Sequence, residues 1–133
     1  MDKSIGTWKL NVQKSKYTPA PFPLKSQTMI RSASDGGVKV KTTGVQADGK
    51  PNNSSYTITY DGKDCPATGA TFDTIALNQV DANNFTFTAR QASGKLHITG
   101  RTVISNDGKV MTMTGSGTDA DGKAVSATLV YDK

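Results

Sequence analysis

Four Asp-Gly-Lys triplets, Asp48-Gly49-Lys50, Asp61-Gly62-Lys63, Asp107-Gly108-Lys109 and Asp121-Gly122-Lys123, divide this chain into short segments in which apolar residues alternate with Thr, Ser or Lys. Each triplet has the chemistry of a tight hairpin. Asp closes an Asx-type turn, Gly takes a positive φ, and Lys re-enters the next strand with its ammonium in water. Weaker turns fall at Asp35-Gly36-Gly37, Asp81-Ala82-Asn83-Asn84 and Ser93-Gly94-Lys95. Spaced at roughly a dozen residues, the turns leave room for one strand each and none for a crossover helix, which excludes a parallel α/β fold.

Strands are predicted over Ile5–Val12, Gln27–Ala33, Val38–Ala47, Ser54–Tyr60, Lys63–Pro66, Asp73–Val80, Phe85–Gln91, Lys95–Ser105, Val110–Thr118 and Ala124–Tyr131. Alternation assigns an inner face to Trp8/Leu10/Val12, Val38/Val40, Tyr56/Ile58/Tyr60, Phe85/Phe87/Ala89, Met111/Met113 and Leu129/Tyr131. Thr57/Thr59, Thr86/Thr88/Arg90 and Thr112/Thr114 then point to water. One apolar and one Thr-rich face per strand means that each strand is covered on one side only. The expected fold is therefore all-β, a single antiparallel up-and-down barrel of eight to ten strands spanning residues 1–133.

One stretch breaks the rhythm. Pro19, Pro21 and Pro23 occupy every second position of Tyr17–Pro23, which forbids regular pairing and predicts a stiff extended connection over Gln13–Lys25, either a lid across one barrel end or a plain surface loop. Along Lys95–Ser105, Leu96 and Ile98 prefer one face while His97, Thr99, Arg101 and Val103 take the other, with Gly100 placed where a bulge would switch the phase.

Composition narrows the chemistry. All eleven acidic residues are Asp, and most of them sit in turns, where a carboxylate accepts from backbone N–H groups. Cys65 is alone, so neither an internal disulfide nor a thiolate metal site can form, and it is expected at a half-buried strand end. His97 is the single histidine, with no partner that sequence can name, and Asp64 and Asp73 are read as unpaired. A general acid–base pair is missing from this reading, which leans against an enzyme and expects no cofactor or metal. The net charge of +5 suggests an anionic partner, but Lys50, Lys63, Lys95, Lys109 and Lys123 each follow a turn Gly and so scatter around the barrel rims. With three Arg and no RNA-binding strand signature, nucleic acid is not an expected partner. No apolar run approaches the ~20 residues of a membrane helix. Asn52, Asn53 and Asn84 match the glycosylation pattern but are read as turn chemistry. The expected location is periplasmic or secreted if an export signal was removed, and cytoplasmic otherwise.

Gly6-Thr7-Trp8 on the first strand, followed by meandering strands and a terminal Tyr131-Asp132-Lys133, resembles the calycins, the lipocalins and fatty-acid-binding proteins. The pattern is similar to small bacterial lipocalin-like domains, which share stretches such as Gly6-Thr7-Trp8-Lys9-Leu10-Asn11 and Asp119-Ala120-Asp121-Gly122-Lys123. Trp8 then plugs the barrel and does no chemistry. The fatty-acid-binding branch places an Arg-x-Tyr pair on its last strand. Here those positions read Leu129-Val130-Tyr131, so the Tyr is kept and the Arg is missing, and the two short helices of that branch are replaced by the Pro-rich link. The resemblance implies an inward Arg on the strand before the last Asp-Gly-Lys turn, a position whose parity Arg101 matches when counted from Asp107, although Leu96, Ile98 and Ile104 oppose that parity unless a bulge intervenes.

What remains is a barrel interior that mixes phenol, aromatic and thioether groups. Tyr56, Ile58, Tyr60, Phe85, Phe87, Arg101, Met111, Met113, Leu129 and Tyr131 are the expected ligand-binding residues, for a small hydrophobic or amphipathic molecule. The alternative is a core filled by these same side chains, in a domain that acts structurally or through its surface.

Overall fold

The computed structural model describes residues 3–19, 21–69, 72–91 and 94–133, and the turn expected at Ser93-Gly94-Lys95 lies partly outside them. The chain forms β1 (Gly6–Leu10), β2 (Lys16–Thr18), β3 (Leu24–Ser34), β4 (Gly37–Gln46), β5 (Pro51–Thr59), β6 (Cys65–Thr68), β7 (Thr74–Gln79), β8 (Asn84–Arg90), β9 (His97–Ile104), β10 (Val110–Thr118) and β11 (Ala124–Asp132). All ladders are antiparallel and run in chain order from β3 to β11. β1 pairs with β3 on one side and with β11 on the other, through Lys9 opposite Asp132 and Leu10 opposite Tyr131, which closes a ten-stranded barrel.

The hairpin turns follow the expected chemistry with one change of partner. Gly49, Gly62, Gly108 and Gly122 all take φ between 73° and 87°, a region that costs other residues a steric clash. Asp48, Asp61 and Asp107 accept from the N–H of Lys50, Lys63 and Lys109 at 3.0, 3.2 and 3.0 Å. In the fourth turn the acceptor is Asp119, which takes the N–H groups of both Asp121 and Lys123 at 2.9 Å. Asp64, read as unpaired, forms an exposed ion pair with Arg90. Cys65 is half-buried at the start of β6, as expected.

The Pro-rich connection departs from its expected irregularity. Val12 leaves the strand for a 3₁₀ turn over Val12–Lys14, capped by Asn11, and Lys16–Thr18 then pairs with β11, setting Tyr17 opposite Ala127. Ser15 stitches the interruption: its hydroxyl donates to the Asn11 carbonyl at 2.7 Å and accepts from the Val130 N–H at 2.9 Å. Proline prevents donation at its own nitrogen only, so a three-residue strand ahead of Pro19 remains possible. β2 has no ladder with β3 among the described residues, so these two strands leave the barrel wall unpaired where they lie side by side.

One end of the interior is solid. Trp8, Val38, Val40, Phe85, Ile104 and Met111 are fully buried there, and the Trp8 indole donates to the Ser4 carbonyl at 2.9 Å. Gly6 holds φ at 137°, and a Cβ on it would collide with the Lys133 side chain, whose ammonium lies 5.1 Å from the Trp8 ring centre. The Gly-x-Trp motif thus lets the last residue fold over the plug. The Lys133 ammonium also reaches the Lys3 carbonyl at 3.5 Å, so Lys3 and Lys133 meet at this floor.

Candidate functional site

The other end of the barrel is not filled. Above the plug lies a cavity of about 340 Å³, walled by residues from β2, β3, β4, β5, β7, β8, β9, β10 and β11. Its floor and sides are apolar: Met29, Ile58, Phe72, Ile75, Leu77, Phe85, Phe87, Leu96, Ile98, Met113, Val125 and Leu129. Tyr17, Pro23, Leu24 and Gln27 border it on the side where β2 and β3 are unpaired, and Pro23 is itself exposed. The gap in the wall therefore adjoins the cavity.

Phe87 owes its place to two missing side chains. Gly100 stands directly opposite it on β9, and a Cβ there would come within 2.7 Å of the Phe87 Cζ; a Cβ on Gly115 would come within 3.4 Å. With both positions empty, the ring lies across the β9–β10 wall instead of being driven toward the barrel axis.

A polar cluster sits in the same wall. The Asn52 amide donates to the Gln27 Oε1 at 2.6 Å, and the Gln27 Nε2 donates to the Tyr131 hydroxyl at 2.8 Å. Thr42 and Ser54 share a hydroxyl–hydroxyl bond beside them. Arg31, on β3, is 5% exposed and projects inward, with Val40 opposite it on β4 and Tyr56 opposite Val40 on β5. Burial raises the Tyr131 phenol far above its usual range, and the Gln27 donor and the Arg31 charge offset only part of that rise. Tyr56 is raised by the same cause, again against the pull of Arg31. Both phenols are therefore neutral hydroxyls at any physiological pH.

Of the residues expected to bind a ligand, Tyr56, Ile58, Phe85, Phe87, Met113, Leu129 and Tyr131 line the cavity. Tyr60 and Met111 do not. Tyr60 packs on Phe85 at 5.3 Å between ring centres, beside Ser4, and Met111 is wholly buried in the packed end. Arg101 is corrected outright. β9 pairs with β8 and β10 without a bulge, so Gly100 and Thr102 face inward while Arg101 lies on the exposed outer wall between Thr86 and Thr114. The inward arginine is Arg31.

Sequence reasoning passed over Arg31, Gln27 and Asn52. Along β3 the run Thr28-Met29-Ile30-Arg31 carries two adjacent apolar residues, so alternation alone leaves its phase open. The signal is the pairing of Trp8 with Met29: residues opposite each other share a face, so the inward Trp8 turns Met29, and with it Gln27 and Arg31, into the barrel. Asn52 is expected as turn chemistry because Asn is a residue type that turns require, yet β5 begins at Pro51 and Asn52 faces the cavity.

No family model matches the sequence, and no curated protein matches it. Among solved structures, the chain is similar to EF1p2_mFAP2b bound to DFHBI, at 11% identity and a TM-score of 0.54 over 98% of this chain and 94% of that one. It is also similar to the S-type phycobiliprotein lyase CPES from Guillardia theta, at 8% identity and a TM-score of 0.59 over 97% and 86%. At these identities the likeness is one of fold, and the fold is that of a calycin-like closed barrel.

Proposed function

We propose that this barrel binds a small apolar or amphipathic molecule in its interior. The observation that carries the reading is the cavity itself. Close-packed interiors hold few voids larger than a water, whereas about 340 Å³ falls within the range of roughly 300–1,000 Å³ typical of small-molecule pockets. Its walls pair a broad apolar surface with a small polar cluster, the division that lets an apolar body bury its area while a polar end fixes its orientation. That one similar barrel is bound to DFHBI supports the reading at the level of architecture.

Fluorescence titration with the neutral probe N-phenylnaphthylamine tests it. Saturable uptake by the native protein is expected, and native mass spectrometry of freshly purified protein identifies any molecule carried along. If native protein and Phe87→Ala both exclude every probe, neutral and anionic alike, the interior is a filled core and the structural or interaction reading replaces this one.

A further inference from the structure

Arg31 stands apart from every other charge in the described molecule. It is 5% exposed, while the ion pairs of the described residues, Lys63 with Asp61 and Arg90 with Asp64, lie at the surface. A guanidinium cannot discharge itself by losing a proton, so burial leaves it a full positive charge. Among the described residues its Nε is buried with no hydrogen-bond partner, and its Nη1 meets only the Met29 thioether sulfur at 3.7 Å, a weak acceptor. No Asp is among the cavity-lining residues. A buried charge without a counter-charge is among the most costly arrangements a fold can retain.

The groups beside it have hydrogen-bonding capacity left over. The Tyr131 hydroxyl accepts from Gln27, and its own proton has no acceptor among the described residues. The Gln27 carbonyl oxygen accepts from the Asn52 amide. Arg31, Tyr56 and Tyr131 all line the cavity, Tyr56 on the same cross-strand row as Arg31, and the charge of Arg31 acts on both phenols. Two neutral O–H groups and a guanidinium present donors to the cavity, and no carboxylate stands among its described lining residues. An uncharged head group would satisfy the hydrogen bonds and leave the charge unbalanced; an anion satisfies both.

We infer that the ligand of this cavity carries an anionic head group, a carboxylate, sulfonate or phosphate, received by Arg31 with Tyr131 and Tyr56 donating beside it. The inference rests on the ligand-binding reading and names the ligand class. The apolar walls take the body of the molecule, which makes it an amphipathic anion.

Two probes that share one ring body separate the outcomes: neutral N-phenylnaphthylamine and anionic anilinonaphthalene sulfonate, each titrated by fluorescence against native protein, Arg31→Gln and Arg31→Lys. The expected result is that the sulfonate binds native protein at least about tenfold more tightly than the neutral probe, as a charge-assisted bond in a dry site allows. Arg31→Gln then costs the sulfonate about tenfold or more, moves the neutral probe by less than about twofold, and Arg31→Lys falls between. Because surface lysines attract sulfonates through water, the titration is repeated at raised salt, which screens the surface and leaves a buried pair largely intact. That comparison on native protein decides the matter even where Arg31→Gln does not fold. Equal binding of the two probes, loss of the preference at raised salt, or a sulfonate affinity unchanged in Arg31→Gln overturns the anionic ligand and leaves the binding reading standing. Exclusion of both probes overturns the binding reading, and the anionic ligand with it.

Discussion

The Gln27 amide donates to the Tyr131 hydroxyl across 2.8 Å, tying residues 104 positions apart on strands that do not pair with each other. β1 lies between those strands, and the bond crosses its inner face beside Leu10, which pairs directly with Tyr131. A wholly buried phenol is thus held by one side-chain donor, which a second amide, Asn52, orients.

Removing that phenol oxygen leaves the Gln27 N–H groups facing an apolar ring edge. Tyr131→Phe is expected to destabilise the protein by about 1–2 kcal/mol, read from denaturant midpoints at constant slope. Gln27→Leu costs a similar amount, and the double variant costs less than the sum, because neither single change then leaves an unpaired partner. Additive losses would mean that the bond contributes nothing of its own.

The raised phenols predict a loss of stability in alkali. Unfolded tyrosines lose their protons near pH 10, whereas Tyr131 and Tyr56 keep theirs when folded. Above pH 10 the native state therefore binds more protons than the unfolded state, and stability falls as pH rises, by up to about 1.4 kcal/mol per pH unit for each tyrosine. Below pH 10 both states are protonated and these groups contribute no slope. Unfolding curves at pH 9, 10 and 11 check this, and Tyr131→Phe should flatten the decline by up to about one such increment per unit.

Phe85 and Phe87 share a face of β8 but not an environment. Phe85 is 1% exposed against Tyr60, so Phe85→Ala is expected to cost about 3–5 kcal/mol. Phe87 borders the cavity and is half-buried, so Phe87→Ala costs less than Phe85→Ala and enlarges the space available to a neutral probe. Thr86→Ala, between them on the outer face, stays within about 0.5 kcal/mol. Equal effects at all three positions would contradict the inward and outward assignment.

The floor motif is testable at Gly6. Gly6→Ala forces a side chain into φ 137° and against Lys133, and is expected to cost about 1–3 kcal/mol. Lys133→Ala removes the ammonium over Trp8 and costs about 0.5–1 kcal/mol. In a Lys133→Ala background the Gly6→Ala penalty shrinks by its steric part only, and the backbone part persists.

Much of the barrel was readable from short-range chemistry. Turn positions follow from Asp and Gly at Asp48-Gly49, Asp61-Gly62 and Asp107-Gly108, because these residues make a tight turn wherever they stand in a chain. The faces of β8 and β10 follow from Phe85-Thr86-Phe87 and Met111-Thr112-Met113, where apolar and polar residues alternate without ambiguity. Seven of the ten residues expected at the site line the cavity for that reason. Arg101 failed because its inward placement needed a bulge at Gly100, and that glycine serves instead to admit the Phe87 ring.

The amino-acid sequence by itself determined an all-β meander, its turns, and the inner face of every strand whose alternation is clean, since all of these depend on residues close together in the chain. Tertiary structure decided the rest. Whether apolar residues close on one another or leave about 340 Å³ between them depends on strand number and on how opposite walls meet, which no local pattern encodes. The inward turn of Arg31 came from the pairing of Trp8 with Met29 across β1 and β3, and its lack of a counter-charge from a cavity lining that holds no Asp among the described residues. A charge without a partner is a property of the assembled barrel, because only folding brings every candidate partner to its final distance.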